Sequence, residues 1–136
     1  MAIAIRKPDE ISKLKRAGEI VGKTLHYLQN IVKPGMTLRE IDALGEAYIR
    51  EQGAEPSFKG LYGFTGSVCT SINEVCIHGV PTDQTIAEGD VLGLDIGVKL
   101  EGYFGDAAIT MAVGKITPED EALIACAKGA LYHAIA

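Results

Sequence analysis

Two aspartates, Asp95 and Asp106, stand in the stretch running from Asp90 through Gly102 to Thr110, and their spacing is the feature most able to do chemistry. Two strand-like runs flank Lys99–Gly102, which reads as a hairpin turn. A two-residue loop at Leu100-Glu101 would set the aspartates directly opposite each other. A loop at Glu101-Gly102, the favoured X-Gly type, would make them diagonal neighbours. Either register puts both on one face, because side chains alternate with period two. An odd-numbered loop would separate them unless a bulge restored the phase. Carboxylates on β-carbons roughly 5 Å apart repel. A divalent cation would turn that repulsion into attraction, and oxygen donors suit hard or borderline metals.

The neighbours on that face are Gly93 and Gly97 on the first run and Phe104 and Ala108 on the second, so small residues leave room beside the carboxylates. The opposite face of the first run, Leu92, Leu94, Ile96 and Val98, is an apolar wall. The same pattern also fits a solvent-exposed hairpin that happens to carry two aspartates. Against that stands the low preference of strands for Asp.

Upstream, Ser71-Ile-Asn-Glu-Val-Cys-Ile-His78-Gly-Val-Pro81 sets a histidine near a turn, where an imidazole can offer a proton or a hydrogen bond to a substrate. A lone histidine is more often structural. His26 and His133 fall within helical patterns and read as surface or packing residues. Cys76 and Cys126 read as small hydrophobes, as does Cys69 on its own. Glu74 receives no role. The Gly60–Gly66 loop is no phosphate cradle, because no Lys-Ser/Thr pair or helix start follows it.

The elements that must position these residues are legible. A first helix runs from about Pro8 to Val32, with Pro8 in the first turn and Asp9 and Glu10 at the positive end of the dipole. Ile11, Leu14, Ala17 or Gly18, Val21, Leu25, Leu28 and Val32 form its apolar stripe, and Pro34-Gly35 stops it. Thr37 and Glu40 make a capping box opening a second helix, with Leu38, Ile41, Leu44, Tyr48 and Ile49 inward and an end at Gly53. Pro56–Gly66 reads as a loop. Ser67–Ile72, Val75–His78, Val91–Val98 and Tyr103–Val113 read as strands between turn signals. Thr117 and Pro118 launch a last helix carrying Leu123, Ile124, Ala127, Leu131 and Ile135. No glycine or proline stop follows it, which suggests a chain cut within the helix. The order implies an α+β domain with largely antiparallel strands.

Length and composition fit this. The 136 residues, 47% of them hydrophobic, suffice for one domain with a core. A net charge of −5 argues against nucleic acid, which needs clustered Lys and Arg. Three cysteines give neither a disulfide framework nor a metal finger. The apolar start, Met1–Ile5, is too short for a signal peptide, and no run approaches the ~20 apolar residues of a membrane span. A soluble, cytoplasmic protein is expected.

The ordered set Asn73-Glu-Val-x-x-His78-Gly-x-Pro81, then Asp95-x-Gly97, then Gly105-Asp106 resembles the type I methionine aminopeptidases, with Val32-Lys-Pro-Gly35 and Ser67–Asn73 extending the match from Ile5 to the C-terminus. The resemblance implies half of a pita-bread fold, in which two related α+β halves face a dimetal site with two Asp, one His and two Glu ligands. It implies that residues 1–136 are the N-terminal half of the catalytic domain. It assigns Asp95 and Asp106 as metal ligands, Asp106 bridging, and His78 as the group that steadies the scissile amide and tetrahedral intermediate. Phe64 and Cys69, with Tyr62 nearby, are assigned to the methionine pocket. The ligand His and both Glu, one of them the general base, belong to the other half.

The implied activity is removal of the N-terminal Met of nascent polypeptides by metal-assisted hydrolysis, with two divalent ions (Co, Mn, Fe or Zn). The 136 residues alone are expected to bind metal weakly and to turn over little or nothing. The sequence departs from the family at Ala107, where Thr is common, and at Cys76-Ile77 before His78. An Xaa-Pro peptidase of the same fold is the alternative activity. A non-catalytic fragment that self-associates, as a homodimer or larger oligomer, is the alternative class.

Overall fold

The computed structural model describes residues 5–136, so Met1–Ala4 of the apolar start lie outside the described residues. Helix α1 spans Pro8–Ile31 and α2 spans Leu38–Glu51. The strands are β1, Glu55–Pro56; β2, Val68–Ile72; β3, Val91–Leu100; and β4, Tyr103–Ala112; helix α3, Pro118–Ile135, comes last. A short 3-10 turn, Leu61–Gly63, lies between β1 and β2.

Helix starts follow the expected chemistry. The Lys7 amide donates to the Glu10 carboxylate at 2.9 Å, beside Pro8 in the first turn. Thr37 and Glu40 close a reciprocal box, with the Thr37 amide donating to Glu40 Oε2 at 2.7 Å and the Glu40 amide to Thr37 Oγ1 at 3.1 Å. The α1 stripe is shifted from expectation. Ile11 is exposed, while Ile20 and Thr24 are buried, the Thr24 hydroxyl donating to the Ile20 carbonyl.

The sheet is antiparallel throughout, with β3 at its centre. β4 pairs along all of β3 on one edge. β1 and β2 share the other edge, β1 opposite Val98 and Lys99 and β2 opposite Leu92 to Ile96. Leu92, Leu94, Ile96 and Val98 face α1 and α2 and are fully buried, so the apolar wall is the core. Gly45 lets α2 settle there: a β-carbon would fall 2.6 Å from Val68 Cγ2.

The β3–β4 turn is Glu101-Gly102, with φ of 50° and 83°. Positive φ at both central residues is the I′ geometry that matches strand twist. Of the two registers open from sequence, the structure has the diagonal one: Asp95 faces Ala108 and Asp106 faces Gly97.

Three expectations are corrected. Val75–His78 is not a strand, because Asn73 turns the chain out of β2 at φ 51°. Pro56, read as loop, belongs to the short strand β1. Cys76 and Cys126 are exposed rather than packed, while Cys69 is buried. Along α3 no residue is buried, and Leu123, Leu131 and Ile135 are exposed. No helix among the described residues is long and apolar enough to cross a membrane.

Candidate metal centre and substrate cavity

The sheet face opposite the core carries the candidate site. In the register, Cys69 of β2, Asp95 of β3 and Ala108 of β4 form one cross-strand row, with Gly97 and Asp106 in the next row on the same face. Asp95 is half-buried and Asp106 exposed. Burial, and then the nearby Asp106 charge, push the Asp95 carboxyl above its ordinary range, while His78 opposes the shift. The Cys69 thiol is pushed up to about 11, first by burial and then by Asp95 and Asp106, so it stays protonated and neutral near pH 7.

The room expected beside the carboxylates is only partly open. Over Gly97 lies protein: a β-carbon there would collide with Ser57 Oγ and the Phe58 ring. The glycine therefore serves to let the 57–66 loop come down onto the sheet. Over Gly93, a β-carbon would make only ordinary contact with Ser71.

That loop, together with Cys69, His78 and Val80, lines an open cavity of about 430 Å³. All four residues assigned to substrate by resemblance, Tyr62, Phe64, Cys69 and His78, line it. Their positions differ. Phe64 is half-buried and Cys69 forms the floor, whereas Tyr62 is fully exposed and stands at the rim. His78 is exposed with φ 57°. Its neighbour is held firmly: the Thr70 amide donates to the Gly79 carbonyl at 2.8 Å and the Gly79 amide to Ser71 Oγ at 3.1 Å.

Phe58, Leu61 and Val80 also line the cavity and were missed by sequence reasoning. The signal for Phe58 was its partner Gly97, a contact across the fold that no local pattern exposes. Val80 lay within the His-Gly-Val-Pro motif itself. Asp95 and Asp106 are not in the lining; they adjoin it through the Cys69 row and through Phe58 over Gly97.

The donor chemistry fits a divalent cation. Two carboxylates share a face, and burial together with the neighbouring charge disfavours ionisation of Asp95 until something positive approaches. The set is partial, since no group of three or more His, Cys, Asp or Glu suited to a metal occurs among the described residues.

An antiparallel sheet with helices packed on one face is the α+β, pita-bread architecture of the solved structures this chain resembles. The chain belongs to metallopeptidase family M24, whose sequence profile matches residues 12–136. It is 52% identical to a methionine aminopeptidase of Helicobacter pylori across 99% of this chain and 53% of that relative. It superimposes on a methionine aminopeptidase of Thermotoga maritima with a TM-score of 0.94 at 32% identity, over 98% of this chain and 54% of that one. An X-Pro aminopeptidase of Thermotoga maritima gives 0.72 at 28% identity, over 85% of this chain and 31% of that one. The chain spans about half the length of the curated relatives it matches.

Proposed function

We propose that this chain is the N-terminal half of the catalytic domain of a type I methionine aminopeptidase, which removes the N-terminal methionine of nascent polypeptides in the cytoplasm. The observation that carries the reading is the meeting of the carboxylate face with an apolar cavity floored by Cys69 and walled by Phe58, Leu61 and Phe64. Its largely apolar lining suits an apolar side chain. The higher structural similarity to a methionine aminopeptidase than to an X-Pro aminopeptidase favours this activity over the alternative.

Asp95 and Asp106 would hold the cations, two divalent ions in the assembled site. Bound cations supply the positive charge that makes a water acidic and polarises a peptide carbonyl. This chain's residues do the rest of their share by positioning. The cavity takes the methionine side chain and excludes water around it. His78, beside the cavity, donates a hydrogen bond to the scissile amide and to the oxygen that gains charge. The missing His and Glu ligands, including the general base, would come from the other half, so residues 1–136 alone are expected to be inactive and to bind metal weakly. The same reasoning makes self-association of the isolated 136-residue chain a second reading, supported by exposed apolar residues on α3 and by Phe104. Light scattering of that polypeptide giving a monomer at tens of micromolar would remove it.

The test is peptide cleavage by the full-length protein. Met-Ala-Ser should be hydrolysed with strong preference over an Xaa-Pro peptide. Asp95→Asn or Asp106→Asn should lower kcat/KM by at least about 100-fold, a floor set by what even outer-shell losses cost metal sites. Preference for Xaa-Pro, or unaltered turnover in both variants, would refute the assignment.

A further inference from the structure

The cavity's outer wall is a surface loop that makes little use of the core, yet it is tied at both ends to one stripe of α2. Asp42, Glu46 and Arg50 recur at four-residue steps and so share a face of the helix. At the loop's exit, Asp42 Oδ1 accepts from the amides of Ser67 at 2.6 Å and Val68 at 2.8 Å. At its entry, Lys59 Nζ donates to Glu46 Oε2 at 2.7 Å, and that same oxygen accepts from the buried Ser67 hydroxyl at 2.7 Å. Arg50 completes the cluster against Glu46 Oε1 at 2.8 Å. One carboxylate thus joins both ends of the segment that supplies Phe58, Leu61 and Phe64 to the cavity.

We propose that Glu46 is a positioning residue for the cavity: by holding Lys59 and Ser67 together it fixes the closure of the 57–66 loop, and so which N-terminal side chain the cavity accepts. The inference rests on the methionine-binding reading of that cavity. Three features support it. Glu46 is only 18% exposed, and its bond from the Ser67 hydroxyl is partly buried. Its neighbours hold its carboxyl ionised down to about pH 2, chiefly through Lys59 and then Ser67. At the loop's start the Ser57 amide donates to the Gly97 carbonyl at 2.9 Å, and beyond it the backbone bonds form a small knot: Gly60 to Phe64, Leu61 to Phe58, and Phe64 to Leu61. Such a knot keeps its own shape but does not fix its distance from Cys69. Ser57 anchors the start on β3, and Glu46 holds the rest by fixing Lys59 against Ser67 at the exit.

A mere stabilising role would lower melting temperature and leave substrate discrimination alone. The experiment therefore reads KM, kcat, selectivity and amide exchange in the full-length holoenzyme for Lys59→Ala, Lys59→Arg and Glu46→Gln. Lys59 is about half exposed, so its truncation should not endanger folding. In Lys59→Ala, KM for Met-Ala-Ser should rise roughly 3–10-fold with kcat within about 2-fold. Its preference for Met-Ala-Ser over Leu-Ala-Ser should fall by a similar factor. Exchange at Gly60, Leu61 and Phe64 should speed up at least about 3-fold. Glu46→Gln should go further in the same direction, and Lys59→Arg should resemble the unaltered enzyme. Unchanged KM, selectivity and exchange in Lys59→Ala and Glu46→Gln would overturn the proposal. So would a fall in kcat at constant KM, which would move the effect to the chemistry. If Glu46→Gln does not fold, Lys59→Ala decides. If the unaltered enzyme ignores N-terminal methionine, the functional reading fails, and the exchange rates still decide whether Glu46 sets the loop.

Discussion

The two walls of the cavity are built in different ways. The inner wall, Cys69 and His78, hangs on β2, on the Thr70 amide's bond to the Gly79 carbonyl, and on the Gly79 amide's bond to the Ser71 hydroxyl. A β-carbon on Gly79 would strike the Thr70 carbonyl and the Ser71 backbone, neither of which can move without breaking the sheet edge. The outer wall, the 57–66 loop, is tied to the sheet at its start, where the Ser57 amide donates to the Gly97 carbonyl at 2.9 Å, and beyond that point is held by side chains of α2. Backbone geometry is stiff, whereas ion pairs at the surface are individually weak and yield to salt. The difference separates two tasks. On the proposed reading, the inner wall would fix His78 near the carboxylates, and the outer wall would set the volume offered to a side chain.

The contrast breaks most severely at Gly79. Gly79→Ala should cost roughly 2–3 kcal/mol of stability, the scale of overpacking against an unyielding neighbour. By displacing His78 it should also lower kcat on the order of 100-fold. Denaturant unfolding and steady-state kinetics check both. Gly97→Ala sharpens the comparison from the other side. The added methyl pushes Ser57 and Phe58, which are side chains able to swing away. We expect roughly 1 kcal/mol of destabilisation and a KM raised about 10-fold with kcat little changed, because the loop lifts while His78 stays. Equal kcat losses in the two variants would erase the distinction.

A smaller effect follows acid titration. Glu46 has its carboxyl drawn from 4.5 to about 2 by Lys59 and Ser67. A carboxyl lowered in the folded state contributes stability that is complete above the unfolded value and is lost as pH falls through the folded one. Comparing unaltered protein with Glu46→Gln, the stability difference should be constant above about pH 4.5 and shrink as pH drops toward 2. A difference that grows on acidification would reverse the sign and exclude the pairing. Smallest of all, Lys59→Ala should cost less than about 1 kcal/mol, as exposed pairs do, despite its expected effect on KM.

Much of the architecture was readable in the sequence because it is written in local rules. Thr37 with Glu40, Thr117 with Pro118, and Glu101-Gly102 each fix a boundary through chemistry within a few residues. Period-two alternation then placed Asp95 and Asp106 on one face whichever even register formed. The misreadings have long-range causes. Val75, Cys76 and Ile77 look like a strand, but Asn73 turns out of β2 and its side chain is engaged with Asp90 and the Val91 amide. The α3 hydrophobes were read correctly as helical, and their period alone does not say that none of them is buried. The role of Gly97 as a seat for Phe58, and of Glu46 as a link between loop ends, depends on residues far apart in the chain. Neither leaves a periodic trace.

The claim beneath all of this is that Asp95 and Asp106 jointly hold cations against the cavity. Anomalous diffraction from crystals of the full-length protein grown with Mn²⁺ tests it directly. The account expects anomalous peaks within about 2.0–2.6 Å of carboxylate oxygens of both residues, with the cavity beside them. Protein that still releases methionine while its bound Mn²⁺ lies elsewhere, with both carboxylates facing solvent, would contradict it.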